Sequence, residues 1–375
     1  MIVKDVFKIS KGKKAIESKD SKLERYIQIG DLRTDNKLKY AKPDEKNVIC
    51  DENDVLIAWD GANAGTIGYN LKGIIGSTLA KLSPKIDEIY SPYVGRFLQS
   101  KFKFLRENCT GATIPHISRP SLENLKIPLP PLEQQKKIAA ILDAADTYRQ
   151  KTKALITKYD ALTQSLFLDM FGDPFTNKKN FPVFKLGELC NELFLGLTSK
   201  VEYVEKGGFP LIRAKDINKG VLSFEKVKYI SEKQHRKITA RRITKRGDVL
   251  ISKSGTLGTC AIVDSDREFT TYESIFTVRP KEGLLSNIFL VYLVRNEGFK
   301  LKLLGNKVGG TVAHLNLKMF RDFEFPLPNI QKQKKFTKRA QAIEAQKAQA
   351  QDSLSQAEDL FNSLLQKAFK GELTN

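Results

Sequence analysis

The hydrophobic pattern of the chain is of two kinds that alternate along the sequence. In residues 1–126 and 181–325, short apolar and β-branched runs such as Val55-Leu-Ile-Ala-Trp59 are separated by Gly, Asn and Asp. This pattern is typical of short strands joined by turns. Apolar residues also recur at spacings of three and four in Pro92–Leu98 and Ile288–Val294, which predicts helices that pack on the sheets. Each region is therefore predicted to be a mixed α+β globule.

A different pattern follows each globular region. After Pro131 there is no Gly or Pro up to Phe171, and apolar or small residues recur at spacings of three and four, as in a coiled-coil seam. The second such segment, from about Asn329 to Phe369, is rich in Ala and Gln. Each helix of roughly 40 residues would be about 60 Å long, and its single apolar stripe needs a partner, for which the other helix is the economical candidate. The predicted seam residues are Ile138, Ile141, Ala145, Tyr148, Leu155, Tyr159, Leu162, Leu166, Ile343, Ala350, Ala357, Leu360 and Leu364.

The chain carries the same unit twice. Thr113-Ile-Pro-His-Ile-Ser118 recurs as Thr311-Val-Ala-His-Leu-Asn316, and Ile127-Pro-Leu-Pro130 recurs as Phe325-Pro-Leu-Pro328, both at a shift of 198 residues. A shift shared by two motifs indicates an internal repeat of one globular region and one long helix. We therefore predict an α+β fold with two globular domains and two long helices.

The charge of the chain indicates a polyanionic partner. Lys and Arg total 63 against 43 Asp and Glu, a formal net charge of +20, and such a surplus attracts nucleic acid through salt-dependent phosphate contacts. The four cysteines form no CxxC pair, and the most apolar run, Ile288–Val294, is far too short to span a bilayer. The chain also begins without a cationic leader before an apolar stretch. We expect a cytoplasmic protein that binds nucleic acid, holds no metal and enters no membrane.

The candidate DNA contacts lie in and around matched loops of the two halves. Asp54-Val-Leu-Ile57 and Asp248-Val-Leu-Ile251 each precede a Gly-rich turn that could present backbone N–H groups to phosphate, although a tight turn between strands explains the glycines equally well. The polar residues of these turns differ between the halves, as two different base readouts would require. The repeated histidines either bond to nearby backbone or face DNA. The candidates are Asn63, Thr113, His116, Arg119, Arg213, Lys215, Lys253, Ser254, Thr256, His314 and Lys318.

No catalytic motif is present in the sequence. It contains no GxxxxGK[ST] phosphate loop, no HExxH, no GxSxG and no Asn-Pro-Pro-Tyr or Asp-Pro-Pro-Tyr segment. The only histidines are His116, His235 and His314, and two of them occupy equivalent positions in different halves. The sequence therefore favours a binding protein over an enzyme. A coiled-coil scaffold or interaction protein without DNA specificity is the alternative from a different class.

The junctions between globule and helix resemble a known family. Ile127-Pro-Leu-Pro-Pro-Leu-Glu-Gln-Gln-Lys-Lys-Ile-Ala-Ala-Ile-Leu-Asp143 and Phe325-Pro-Leu-Pro-Asn-Ile-Gln-Lys-Gln-Lys-Lys335 are similar to the region that joins recognition domain and long helix in the specificity (S) subunits of type I restriction-modification systems. The resemblance covers nearly the whole chain. It implies target-recognition domains at 1–130 and 173–328 and long helices at 131–172 and 329–375.

The resemblance also implies an architecture and a function. The two helices would pair as an antiparallel coiled coil and relate the recognition domains by a pseudo-twofold axis, and each domain would read one half of a bipartite, asymmetric site in double-stranded DNA. The subunit would be non-catalytic and would bind no cofactor itself. Two modification subunits would bind S-adenosylmethionine and methylate adenine, and restriction subunits would add ATP- and Mg-dependent translocation and cleavage. The specificity component of a methylation-only system would have the same pattern.

Overall fold

The computed structural model describes residues 1–34, 37–111, 113–174, 176–205, 207–218, 220–253, 258–303 and 316–373. The chain forms two compact units, one of Met1–Ala154 with Gln351–Asn375 and one of Leu155–Ala350. Each unit therefore contains one globular region and a part of each long helix. Among the described residues, no helix has the length and apolar character that crossing a membrane requires.

The first unit contains two sheets. Its strands are Phe7–Lys11 (β1), Glu17–Ser18 (β2), Glu24–Ile27 (β3), Tyr40–Ala41 (β4), Ile49–Cys50 (β5), Val55–Ala58 (β6), Ile67–Gly68 (β7), Gly73–Ile75 (β8) and Leu79–Pro84 (β9). One sheet has the order β1-β9-β6-β7 and the other β2-β4-β3-β8-β5. The helices are Val3–Val6 (α1), Ser91–Ser100 (α2), Phe102–Glu107 (α3), Arg119–Glu123 (α4) and the long helix Leu132–Phe171 (α5), which ends in the second unit.

Strand β6 is buried along its whole length because both of its faces are covered. Val55 and Ile57 belong to a core that includes Phe97 of α2, and Leu56 and Ala58 belong to a second core. A strand covered on both faces has a continuous apolar run in place of an alternating one, and this accounts for the Val-Leu-Ile-Ala sequence. Helix α2 starts with a proline in its first turn, where the missing N–H costs no hydrogen bond.

The second unit repeats this plan with insertions. Its strands are Val183–Lys185 (β10), Cys190–Leu195 (β11), Tyr203–Val204 (β12), Phe209–Ile212 (β13), Ile217–Asn218 (β14), Val221–Leu222 (β15), Lys228–Ile230 (β16), Val249–Ser252 (β17), Cys260–Ile262 (β18), Thr270–Thr271 (β19), Ile275–Pro280 (β20) and Glu324–Pro326 (β21). Its helices are Glu232–Thr239 (α6), Asn287–Arg295 (α7), Glu297–Leu303 (α8), Leu317–Arg321 (α9) and the long helix Ile330–Lys370 (α10), which ends in the first unit.

The sheet order of the first unit recurs in the second. Strands β11-β20-β17-β18 follow one another as β1-β9-β6-β7 do, and the parallel pair β3/β8 has its counterpart in the parallel pair β13/β19. The remaining described ladders are antiparallel. A hairpin does not produce a parallel pair, so the occurrence of one in each unit is not a consequence of hairpin formation. The predicted mixed α+β class is confirmed, and the structure shows the same strand order in both halves.

A buried glutamine near the start of each long helix makes the same three hydrogen bonds in each half. The Gln135 side chain accepts from the Tyr90 N–H (3.0 Å) and donates to the Glu88 and Pro130 carbonyls (2.9 and 2.8 Å). Gln333 accepts from the Ser286 N–H (2.8 Å) and donates to the carbonyls of Leu284 and Pro328 (2.9 and 2.8 Å). Each glutamine thus ties its helix to the loop before α2 or α7 and to the proline motif.

We expect Gln333→Leu to lower the free energy of unfolding by about 2 kcal/mol, because buried backbone groups that lose their partner cost roughly 1–3 kcal/mol. Gln135→Leu should have an effect of similar size, since the three contacts are equivalent. Chemical denaturation measures both, with Gln331→Leu on the exposed side of α10 as the control. A loss at only one of the two positions would contradict the equivalence of the two junctions.

The long helices contact each other within each unit. In the first, Lys153 of α5 pairs with Glu358 of α10 (Nζ to Oε1, 3.1 Å), and Arg149 lies over the Phe361 ring at 4.5 Å from its centroid. The residue numbers rise along α5 as they fall along α10, so the helix segments run antiparallel in this unit. In the second unit, Lys347 of α10 pairs with Asp160 of α5. The two predicted helices are confirmed to within one residue at their starts.

The buried side of α5 differs from the predicted seam. Among the predicted residues, Ile138, Ala350 and Ala357 are buried, Ala145, Tyr159, Leu166, Ile343 and Leu364 are partly buried, and Ile141, Tyr148, Leu155, Leu162 and Leu360 are exposed. The exposure of these last five residues corrects their assignment to the seam. At the four exposed positions of α5 the next residue is buried or partly buried instead, namely Leu142, Arg149, Ile156 and Thr163.

Side-chain chemistry explains why part of this buried side is not visible in the apolar pattern. Thr152 and Thr163 are buried, and their hydroxyls donate to the carbonyls of Tyr148 (2.9 Å) and Tyr159 (3.0 Å) one turn earlier. A threonine that bonds within its own helix can occupy a buried position without an unsatisfied polar group. Counting apolar residues alone therefore leaves these two buried positions out of the seam.

Candidate nucleic-acid interface

In the first unit, two loops that carry predicted contact residues are joined by backbone hydrogen bonds. The Gly61 N–H donates to the Pro115 carbonyl and the Ile117 N–H to the Trp59 carbonyl, both at 2.9 Å. Gly61 has φ +92°, a conformation that glycine adopts without strain. The first glycine of the turn is therefore required by the turn itself, and the adjoining loop is held beside it.

His116 lies at the junction of these loops and contacts a carboxylate. Its Nδ1 is 2.6 Å from Asp60 Oδ1, and Lys11 Nζ is 2.8 Å from Asp60 Oδ2. Burial alone would raise the pKa of Asp60, but the hydrogen bonds from Lys11 and His116 lower it below its usual range. Asp60 was not predicted as a site residue, because its partners are distant in the sequence.

The other predicted residues of the first unit lie on the same loops or beside them. Asn63 is exposed in the Gly-rich turn and accepts from Arg33 Nη2 at 2.9 Å, and Thr113 is exposed in the adjoining loop. Arg119 opens α4 and pairs with Glu123 at 2.7 Å. The structure thus brings Asn63, Thr113 and His116 onto adjoining loops, with Arg119 following them.

In the second unit, a serine connects two predicted contact residues. The Lys253 N–H donates to the Ser274 carbonyl (2.8 Å), and the N–H of Ala214, next to Arg213, donates to the Ser274 hydroxyl (3.3 Å). Lys215 is exposed beside them, and Lys318 is exposed on α9. Arg213 and Lys253 therefore lie at one site. Ser254, Thr256 and His314 lie outside the described residues.

The Arg213 guanidinium is held in place but incompletely paired. Its Nε is 3.5 Å from Asp216 Oδ2, whose carboxylate also accepts the Arg213 backbone N–H at 2.9 Å. Nε and Nη2 are buried and find no hydrogen-bond acceptor among the described residues. Buried polar groups are rarely left unpaired, so Arg213 stays a candidate contact residue of this site.

The third histidine has a structural role. His235 of α6 is buried and stacks on Phe209 at 3.9 Å between ring centroids, and its Nδ1 is 2.8 Å from the Thr270 hydroxyl. Burial lowers its pKa, although Glu268 acts in the opposite direction. In the part of the chain that the structure describes, no group of three or more His, Cys, Asp and Glu side chains is placed to hold a metal ion.

Comparison with protein families decides the classification. The model of the type I restriction modification DNA specificity domain matches residues 1–158 and again residues 178–356. The two matches correspond to the two halves of the repeat and cover most of the chain. The chain belongs to the type I restriction-modification DNA specificity family.

Relatives in this family match most of the chain. The chain is 28% identical over 362 residues to the type I restriction enzyme MjaVIII specificity subunit of Methanocaldococcus jannaschii, covering 91% of this chain and 84% of that protein. It is 23% identical over 352 residues to the EcoBI specificity subunit of Escherichia coli, covering 86% and 74%. The similarity therefore extends over most of the chain.

Solved structures share the fold. The S subunit of the type I restriction-modification system from M. genitalium superposes with a TM-score of 0.60 at 18% identity, covering 98% of this chain and 95% of that one. A chain from a study of complex assembly and conformational transition of the type I R-M system superposes with a TM-score of 0.62 at 18% identity, covering 100% and 97%. At this identity the likeness establishes the fold of this specificity-family chain.

Proposed function

We propose that the chain is the non-catalytic subunit that gives a type I restriction-modification complex its DNA sequence specificity. The observation that carries this is the repeat: the family's specificity domain matches twice, on two units with the same sheet order but different loop residues. Asn63 lies in the turn of the first unit and bonds to Arg33, whereas Lys253 lies in the corresponding turn of the second and is tied through Ser274 to the backbone beside Arg213. Different side chains on one frame suit two different half-sites.

The proposed architecture has four parts: recognition domains at 1–130 and 173–328, and long helices at 131–172 and 329–375. The helices would form an antiparallel coiled coil, which is supported by the Lys153–Glu358 and Lys347–Asp160 pairs inside the separate units. A pseudo-twofold relation of the domains would follow from the repeat. The site read in this way is bipartite and asymmetric.

The partners follow from the family. Two modification subunits would bind S-adenosylmethionine and methylate adenine within the half-sites, and restriction subunits would supply ATP- and Mg-dependent translocation and cleavage. This chain would provide DNA contacts and docking surfaces. We place it in the cytoplasm, since Cys50, Cys109, Cys190 and Cys260 form no disulfide, as is usual in a reducing compartment.

Electrostatics support contact with DNA phosphates. The net charge is +20, and α6 and the turn after it present exposed Lys233, Lys237 and Arg241. Each phosphate that a protein neutralises steepens the loss of affinity with salt, with a slope near −0.9 per contact. Replacing Lys233 and Lys237 by Ala is therefore expected to reduce the slope by about 1–2 and to leave the sequence preference unchanged. Binding of the complete methyltransferase complex to duplex DNA at several salt concentrations measures this.

Selection from a random duplex library tests the proposed function. The complex of this chain with its modification subunits should enrich two short defined blocks that are separated by an unspecified spacer of fixed length. A coiled-coil scaffold without DNA specificity would enrich no sequence and would assemble in a salt-insensitive manner. Enrichment of a single continuous block would contradict two independent half-site readers.

A further inference from the structure

Three ionisable side chains from distant parts of the first unit meet at the edge of its sheet. Lys11 comes from the end of β1, Asp60 from the turn after β6, and His116 from the loop before α4. Asp60 is in contact with both of the others, at 2.8 Å from Lys11 Nζ and 2.6 Å from His116 Nδ1. The Lys11 and His116 side chains are 51% and 45% exposed, whereas that of Asp60 is 16% exposed, so the carboxylate supports two groups that face solvent.

The surroundings of His116 fix the orientation of its ring. A carboxylate beside Nδ1 selects the tautomer with a proton on Nδ1, which leaves Nε2 as an acceptor when the ring is neutral and as a donor when it is charged. Gly111 has φ +90°, and a Cβ there would lie 2.4 Å from the Ile114 carbonyl and 2.9 Å from His116 Cδ2. Loop backbone therefore lies close to one edge of the ring.

The side chains at this place suit contact with a base edge. The Lys11 ammonium is neutralised by the Asp60 carboxylate, so this pair is a weak attractor of phosphate. The exposed neighbours Asn63, Thr113 and Ile114 carry no charge, whereas Arg33 bonds to Asn63 and Arg106 to the Gly61 carbonyl on the same turn. Uncharged polar side chains and apolar contacts, such as those made to a thymine methyl group, are the chemistry of base-edge readout.

Building on the proposed function, we propose that His116 reads a base edge of the first half-site through Nε2. Asp60 and Lys11 are positioning residues: Asp60 holds the ring and its tautomer, and Lys11 holds Asp60. Base identity is then read by one side chain whose orientation is fixed before DNA binds.

Methylation kinetics with a panel of substrates test this once the wild-type motif is known. The panel carries each of the four bases at each position of the first half-site. His116→Ala in the complete complex is expected to reduce discrimination at a single position by about 10-fold, within the range of one good base contact. Asp60→Ala should relax the same position, and Asp60→Asn, whose amide oxygen still accepts from Nδ1, should retain more discrimination.

Two comparisons distinguish a loss of base recognition from a loss of folding. Lys11→Met should weaken discrimination at that same position, whereas Lys8→Met, an exposed lysine on the same strand, should not. Discrimination in the second half-site should be unchanged in every variant. A loss that is equal for all substrates, or a relaxed position that differs between His116→Ala and Asp60→Ala, would overturn the proposal. A wild-type complex without a split motif would contradict the proposed function itself.

Discussion

Arg96→Met is expected to lower the free energy of unfolding by about 3 kcal/mol, because loss of one partner leaves buried charges uncompensated. The Arg96 side chain of α2 is 8% exposed and donates to Asp143 (2.8 Å, from Nε) and Asp146 (2.9 Å, from Nη1) of α5. Its guanidinium also lies 5.6 Å from the centroid of the Phe361 ring of α10. One side chain thus connects the first globule to both long helices within its unit.

The effect should depend on pH in a defined direction. Burial alone would raise the pKa of Asp146, but hydrogen bonds from Arg96 and Arg149 hold it below its usual range. A carboxyl whose pKa is lowered by folding contributes stability above its unfolded pKa and loses it as the pH falls through the folded pKa. The difference in free energy of unfolding between wild type and Arg96→Met should therefore have its full size above about pH 5 and become smaller below about pH 4.

Denaturant unfolding at several pH values measures this effect. Arg119→Met is the control, because Arg119 makes an exposed helical pair with Glu123 and such pairs contribute about 0–1 kcal/mol. Equal losses of stability in the two variants, or a difference between wild type and Arg96→Met that grows in acid, would show that Arg96 does not hold the globule to the long helices in this way.

Arg213→Ala is expected to weaken methylation of the native site by about 5- to 100-fold, through the second half-site alone. Its two buried donors have no acceptor among the described residues, and Asp216 holds the guanidinium from one side. An arginine guanidinium can bond to two acceptors of a guanine edge. Lys253→Ala should also act on the second half-site only, because the backbone at both residues is tied to Ser274.

Substrates with changes in one half-site at a time give the measurement. Arg246→Ala is the matched control, since Arg246 is an exposed arginine of the same unit that pairs with Asp266 at 2.7 Å. We expect the control to change binding little and without sequence preference. If Arg213→Ala loses discrimination equally at both half-sites, Arg213 does not belong to the surface that recognises the second half-site.

The fold could be predicted from the sequence where the pattern is long or repeated. The two long helices begin within one residue of their predicted starts, because Gly and Pro are absent between Pro131 and Phe171 and the proline motifs mark the beginnings. The class of the globules followed from short strand-like runs. The apolar pattern did not predict every buried position of the seam, because Thr152 and Thr163 occupy buried positions by bonding to their own helix.

The site could be predicted only in part, for a different physical reason. Loop residues such as His116 and Arg213 could be singled out because they stand beside matched motifs. The contact of Asp60 with Lys11 and His116 joins a turn, a strand end and a loop that are about 50 residues apart in the chain, and no local pattern encodes such a contact. The unpaired donors of Arg213 likewise depend on the burial of its guanidinium, which only the packed structure shows.

If this chain selects the DNA sequence that its partner subunits modify, its loss must change genomic methylation. The decisive measurement is genome-wide adenine methylation in cells with and without this gene, with active modification subunits present in both. We expect methylation of one split motif, with two defined half-sites and an unspecified spacer of fixed length, to disappear on deletion and to return on complementation. Unchanged methylation in the deletion strain would contradict it.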